Sequence, residues 1–254
     1  GEIIFAKNAT EAINIVAHGL KWKKGDEILI TIMEHHSNMV PWRIIAEKMD
    51  LKVKYIDLTD DLTAVNVEEF EKKITERTRV VAICHVSNVL GTINPIDEIV
   101  KIAEDHRSLV VVDAAQSAPH MPLNLEKLGA HFVAISGHKM MGPTGIGVLY
   151  MKEDTWDQVS PPFGGGEMIK NVTLEKISWN EMPWRFEPGT PNIAGAIGLA
   201  AAVEYLERIG MENVRRHEKQ LTKKALELLS KIPQIKVYGP KNPDNRGCLL
   251  YTLT

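Results

Sequence analysis

The chain has 254 residues, 44% of them hydrophobic and 25% charged, with a formal net charge of −3. That is enough for one large domain, or a large and a small one, of ordinary globular composition. The charge gives no reason to expect nucleic acid or an anionic membrane as a partner, and no apolar run is long enough to span a bilayer.

The sequence opens on Gly1 rather than methionine, as expected of a processed, trimmed or partly observed product, and it shows no basic segment, apolar core and cleavage site of a secretory leader. The cysteines are Cys84 and Cys248, neither with a close partner in sequence. This argues against a disulfide framework or a zinc ribbon and makes the reducing cytoplasm the expected location.

Taken in chain order, Thr10–Leu20 sets Ile13, Val16, Ala17 and Leu20 on one helical stripe. Glu27–Ile32 and Val53–Leu58 read as strands, Val67–Ile74 as a helix, Arg79–Cys84 as a strand and Ile96–Glu104 as a helix. Leu109–Val112, Phe132–Ile135 and Ile146–Met151 complete the strand candidates. Most are apolar nearly throughout, which suits strands covered on both faces. The alternation predicts an α/β fold, a mostly parallel sheet with helices on both faces. The short link between the last two runs predicts that one of them is antiparallel. After about Thr190 the texture changes: Ile193–Ile209 and Met211–Ile232 read as long helices broken at Gly210, and Ile235–Tyr238 and Cys248–Thr252 as short strands. The expected division is a large domain over residues 1–210 and the start of a smaller α+β domain over residues 211–254.

Ligands of open parallel sheets bind beyond the carboxyl ends of the strands. "ITIMEHHSN" ends there with Glu34, His35 and His36; "ICHVSNVLG" with His85, Ser87 and Asn88; "VVVDAAQSA" with Asp113 and Gln116; "AISGHK" with Ser136, His138 and Lys139. The helix starting near Thr10 adds free N–H groups that favour an anion. Pyridoxal phosphate (PLP) uses all of these. It needs a lysine amine for its aldehyde, a carboxylate at the ring nitrogen, a phosphate cradle and a flat side chain against the ring. On this reading Lys139 carries the aldehyde, Asp113 faces the ring nitrogen, His35 stacks, and Ser136, His138 and the Ala9–Thr10 turn take the phosphate.

Singly, each residue has an ordinary explanation: an Asp at a strand end is usually a turn former, and a Lys in a Gly-rich loop is usually solvated. "GPTGIG" has the wrong spacing for a dinucleotide fingerprint and no Gly-Lys-Ser/Thr of a P-loop. "EHH" lacks a zinc-ligand spacing, so no metal is expected. His106 and His131 read as surface or structural, Cys84 as a core residue, and "RRHEKQLTKK" from Arg215 as the solvated face of a helix.

The motifs "ATEAIN", "MEHHSNMVPW", "HVSNVLG", "VDAAQSAPH", "SGHKMMGPTGIGVLY", "FGGGEMI" and "PWRFEPGTPN" occur in this order. Together they closely resemble the SufS-like cysteine desulfurases, including selenocysteine lyases, of the class V aminotransferase family with PLP fold type I. The resemblance runs through essentially the whole chain. It implies that Lys139 binds PLP and moves the substrate Cα proton, and that His35 stacks on the ring. It further implies that Asp113 pairs with the pyridine nitrogen, Gln116 reaches the phenolic oxygen, and Asn88 contacts that oxygen and the substrate carboxylate. Thr10, Ser136 and His138 would bind phosphate, and Thr190 would reach the phosphate of the other subunit of a homodimer. The implied substrate is L-cysteine or L-selenocysteine, and the implied recipient is a sulfur-acceptor protein of iron–sulfur assembly.

Two positions depart from the family. Ala9 stands where a second hydroxyl is common, so only its backbone N–H can serve, at ~1 kcal/mol less binding. The family's nucleophilic cysteine and substrate-binding arginine belong to its C-terminal domain, and neither Cys84 nor Cys248 matches that motif. The leading expectation is cysteine desulfuration. The alternatives are selenocysteine lyase, another class V lyase or aminotransferase, and an inactive PLP-binding or dimerisation module.

Overall fold

The computed structural model describes residues 1–253; Thr254, the last residue of the expected smaller domain, lies outside the described residues. The chain runs β1 (Ile3–Ala6), α1 (Ala9–Gly19), β2 (Glu27–Thr31), α2 (Val40–Met49), β3 (Lys52–Ile56), α3 (Val67–Lys73), β4 (Thr78–Cys84), α4 (Ile96–Asp105) and β5 (Leu109–Asp113). It continues through α5 (Leu125–Leu128), β6 (Phe132–Ser136), β7 (Gly147–Met151), β8 (Ile169–Val172), β9 (Ile177–Trp179), α6 (Ile193–Ile209), α7 (Met211–Leu229), β10 (Lys236–Tyr238) and β11 (Tyr251–Leu253).

The main sheet has seven strands in the order β1-β7-β6-β5-β4-β2-β3. Its neighbours from β3 to β6 are parallel, and β7 is antiparallel to both β6 and β1. The antiparallel member expected from the short link is thus β7. Successive side chains in a strand point to opposite faces, so apolar runs feed two cores. Ile28, Ile30, Val111 and Ala134 join α1 and α2 on one face, through Ile13, Val16, Trp42 and Ile45. Leu29, Val81, Ile83, Val110 and Val112 join α3 and α4 on the other, through Phe70, Ile96 and Ile99. The two edge strands are the exceptions to two-sided burial: Ile3 and Phe5 of β1 are exposed, and the lysines and Tyr55 of β3 are only partly covered or exposed. Lys54 there pairs at 2.6 Å with Glu27, the buried acid of β2.

Capping sets the helix starts. The Asn8 side chain accepts the Glu11 N–H at 3.0 Å to begin α1, and Asn66 accepts that of Glu69 at 3.0 Å to begin α3. At Gly147 a Cβ would lie 2.5 Å from the Ile135 carbonyl oxygen and 2.7 Å from Asn8 Cα. Only glycine lets β7 pass this close under the start of α1 and hold it against the end of β6.

The structure moves several boundaries. Helix α7 ends at Leu229, three residues short of the expected Ile232, where Pro233 follows the closing turns. The final strand begins at Tyr251; Cys248 lies in the irregular stretch before it. The face from Arg215 is not simply solvated, because Arg215 donates to the carbonyls of Pro243, Asp244 and Arg246 at 3.2, 3.0 and 2.7 Å. That segment is pinned to the loop after β4 by Ile93 N–H to Asn245 O (3.0 Å) and Gly247 N–H to Gly91 O (2.7 Å). Among the described residues no helix is long and apolar enough to cross a membrane.

Candidate active site

The carboxyl ends of β2, β4, β5 and β6 lie side by side, and the loops leaving them enclose a cavity of about 240 Å³. This is below the roughly 300–1,000 Å³ of pockets for drug-sized ligands and suits a single-ring compound. Ala9, Thr10, His35, Asn88, Asp113, Gln116, Ser136, His138 and Lys139 all line it. Of the sequence-derived set, Thr190 alone lies elsewhere. It borders a separate cavity of about 600 Å³ with Phe5, Phe163 and Phe186.

Asp113 is the last residue of β5, paired in register with Cys84 and Ala134 of the neighbouring strands. Only 6% of it is exposed. Its Oδ1 accepts the Ala115 N–H at 2.9 Å, and no donor reaches its other oxygen among the described residues. Burial pushes its carboxyl above the usual range, opposed by the Ala115 hydrogen bond and then by the nearby charge of Lys139. A buried acid with a free oxygen is suited to a cationic partner, which would restore its ionised form. Lys139 closes a short 3₁₀ turn, Gly137–Lys139, directly after β6, so the sheet fixes the start of its side chain. Its amine makes no hydrogen bond or ion pair among the described residues.

One end of the cavity is built on the start of α1. Ala9 N–H donates to the buried Ser136 Oγ at 2.9 Å, which locks the helix start onto the end of β6. The dipole of α1 favours an anion there. Thr10 Oγ1 donates to Ser37 Oγ at 2.8 Å, and Ser37 Oγ lies 2.8 Å from His35 Nδ1. Ser37 N–H also donates to that nitrogen, at 3.1 Å, so Nδ1 is an acceptor and the ring proton sits on Nε2. Ser37 therefore fixes the His35 ring from both its backbone and its hydroxyl, a role that sequence reading passed over. The signal was available in the His-x-Ser spacing, which lets a side chain cap a tight turn.

Other strand-end residues serve the walls. Ser87 is fully buried, and its hydroxyl accepts the Leu90 N–H at 3.1 Å, shaping the loop that presents Asn88. His85 is buried, its Nδ1 without a partner among the described residues, and burial drives it down to about 4, so it stays neutral. Glu34 lies behind the cavity, accepting from Thr31 Oγ1 and Asn38 Nδ2, each at 2.6 Å. Cys84 touches the cavity, but burial and the nearby Glu34 and Asp113 carboxyls push its thiol well above its ordinary value, so it stays protonated. His131 is structural, accepting the Val110 N–H at 3.0 Å.

A buried acid and a lysine facing one ring-sized cavity, with a helix start at its far end, define a site for a phosphorylated aldehyde cofactor on a sheet of the aminotransferase kind. The class-V aminotransferase family model matches residues 1–253, and the chain belongs to that family. A probable cysteine desulfurase of Halalkalibacterium halodurans is 51% identical over 243 residues, 94% of this chain and 60% of its own length. The apo cysteine desulfurase of Thermococcus onnurineus NA1 superposes with a TM-score of 0.95 at 46% identity, covering 100% of this chain and 63% of the other. A variant of C-DES solved with glycine covalently linked to its PLP cofactor superposes with a TM-score of 0.87 at 27% identity, covering 95% of this chain and 65% of the other. The chain spans about 60% of the length of the curated relatives it matches.

Proposed function

We propose that this chain carries the PLP-binding half of a cysteine desulfurase, an enzyme converting L-cysteine to L-alanine and passing persulfide sulfur to an acceptor protein of iron–sulfur assembly. The observation that carries the reading is the shared cavity of Lys139 and the buried Asp113 with a free oxygen, in a chain 51% identical to a probable cysteine desulfurase.

The residues present fit PLP. Lys139 would hold its aldehyde carbon, Asp113 its ring nitrogen and Gln116 its phenolic oxygen. Thr10, Ser136 and His138 would hold the phosphate, with the Ala9 N–H supporting the Ser136 hydroxyl rather than the phosphate itself. When bound, the cofactor supplies an electron-withdrawing ring that lowers the cost of negative charge at the substrate Cα. The chain does the rest. Asp113 would stay ionised beside a protonated ring nitrogen. His35, its proton on Nε2, would offer its flat face to the ring. Asn88 orients the substrate carboxylate. Lys139 takes the Cα proton at Nζ and returns it. Neither Cys84, protonated and buried, nor Cys248, outside the cavity, is assigned as the nucleophile.

The same reading takes residues 1–210 as the cofactor-binding domain, residues 211–254 as part of a smaller one, and the cytoplasm as the location. It includes a homodimer, supported by Thr190 standing outside this chain's own cavity and by exposed Leu174, Ile177 and Trp179 on the β8–β9 hairpin. Incubating the full chain with PLP and L-cysteine tests the activity. Alanine with sulfide or persulfide supports desulfuration, and selenide from L-selenocysteine at higher efficiency moves the reading to selenocysteine lyase. Keto-acid exchange moves it to an aminotransferase. Cofactor binding with no product supports a binding or dimerisation module. Failure to bind PLP overturns the proposal.

A further inference from the structure

Away from this cavity, His120, Glu218 and Cys248 bring an imidazole nitrogen, a carboxylate oxygen and a thiol sulfur within 4.8 Å of one another. They come from three parts of the chain: the turn after Asp113 and Gln116, the middle of α7, and the irregular stretch before β11. All are half-buried. Glu218 Oε1 lies 2.8 Å from His120 Nδ1. The other oxygen, Glu218 Oε2, is buried and has no hydrogen-bond partner among the described residues. Leaving a buried carboxylate oxygen without a partner is costly, so Glu218 Oε2 stands one partner short even with His120 against its other oxygen.

We propose that His120, Glu218 and Cys248 are the protein ligands of a zinc ion, with a water in the fourth position. Sulfur, imidazole and a single carboxylate are a zinc donor set; Mg²⁺ and Ca²⁺ take oxygen ligands. Zinc bonds of about 2.0–2.3 Å in a tetrahedron set the donors roughly 3.3–3.7 Å apart. The His120–Glu218 pair must open slightly and the sulfur close slightly, both within side-chain adjustment. Binding releases two protons to solvent, one from the Cys248 thiol and one from the His120 imidazole, which the Cys248 and Glu218 neighbours otherwise hold protonated. Spacing gave no hint of the site, because its ligands lie far apart in sequence and follow no zinc motif.

The place of the cluster gives the metal a structural consequence. His120 N–H donates to Ser117 O at 3.0 Å, and Ser117 N–H to Ala114 O at 3.1 Å. The turn is thus continuous with Asp113. A zinc ion here clips α7 and the segment from Arg246 to Cys248 onto the turn that carries the cofactor's ring partner. Metal occupancy then raises the stability of the chain by mass action.

Cobalt(II), a spectroscopic stand-in for zinc, tests this on the full chain after chelator treatment and before any cofactor is added. The expected result is one equivalent bound, with a sulfur-to-cobalt charge-transfer absorption that zinc displaces. Cys248→Ser should abolish that absorption, while Cys84→Ser keeps it. Glu218→Gln should weaken binding by more than about tenfold, since losing even an outer-shell partner of a metal site costs about 10–100-fold. Absence of the absorption in the unaltered chain, its persistence in Cys248→Ser, or its loss only in Cys84→Ser overturns the proposal. If Cys248→Ser does not fold, Glu218→Gln decides, and unchanged affinity there overturns it equally.

Discussion

Glu34 offers the most quantitative test of the wall behind the cofactor cavity. It is wholly buried, and burial raises its carboxyl from 4.5 to about 7, against the hydrogen bonds from Thr31 and Asn38 that favour the charged form. An acid raised in the folded state binds its proton more tightly there than in the unfolded chain. Between pH 4.5 and 7 the native state therefore holds about one more proton, and stability falls as pH rises through this window, then levels off. At about 1.36 kcal/mol per pH unit, the change between pH 5 and pH 8 is about 2–3 kcal/mol. Glu34→Gln cannot titrate, and its amide meets the donating Asn38 side chain, so it loses one hydrogen bond at every pH. Urea unfolding of both proteins at pH 5, 6, 7 and 8 isolates the carboxyl, because other titrating groups cancel in the difference. The unaltered protein should gain about 2–3 kcal/mol over the variant on going from pH 8 to pH 5. Parallel stability curves would refute the assignment of a proton to buried Glu34.

Ser136→Ala should cost about 1–3 kcal/mol of unfolding free energy, because it strands the buried Ala9 N–H; it should also weaken PLP binding, and a cost below 0.5 kcal/mol in urea melts would contradict the lock between α1 and β6. Gly147→Ala should destabilise by about 1–3 kcal/mol or more, since its new Cβ meets backbone atoms of Ile135 and Asn8 rather than a flexible side chain; an unchanged thermal midpoint would show that β7 has room to move. Ser37→Ala should leave stability within about 1 kcal/mol yet lower PLP affinity severalfold by removing the hydroxyl half of the hold on the His35 ring, measured by titration of the visible absorption; unaltered affinity would remove the Ser37 hydroxyl from the positioning of His35.

Much of the fold was legible because buried strands leave a dense signature. The runs at Arg79–Cys84 and Leu109–Val112 are apolar on both faces, and the structure extends them only to Thr78 and Asp113. Strand β1 escaped notice because only its Ile4 and Ala6 face the core while Ile3 and Phe5 are exposed, over just four residues. Helix α2 hid inside "MVPWRIIAEKM", although Pro41 in its first turn and the buried Trp42, Ile45 and Ala46 mark its start and its stripe. Lys139 and Asp113 stood out because a charged residue ending a buried strand is unusual. Ser37 did not, and Glu34 and Ser87 stood out only as strand-end residues, because all three act through hydrogen bonds that exist only once the loops are folded; His120, Glu218 and Cys248 meet only through long-range packing.

The most direct measurement is the site of covalent attachment. The full chain is incubated with PLP, reduced with borohydride, digested and mapped by mass. The account predicts one cofactor adduct per chain, on Lys139, absent from Lys139→Ala and weaker in Asp113→Asn. An adduct on another lysine, or an undiminished yield in Lys139→Ala, would contradict it.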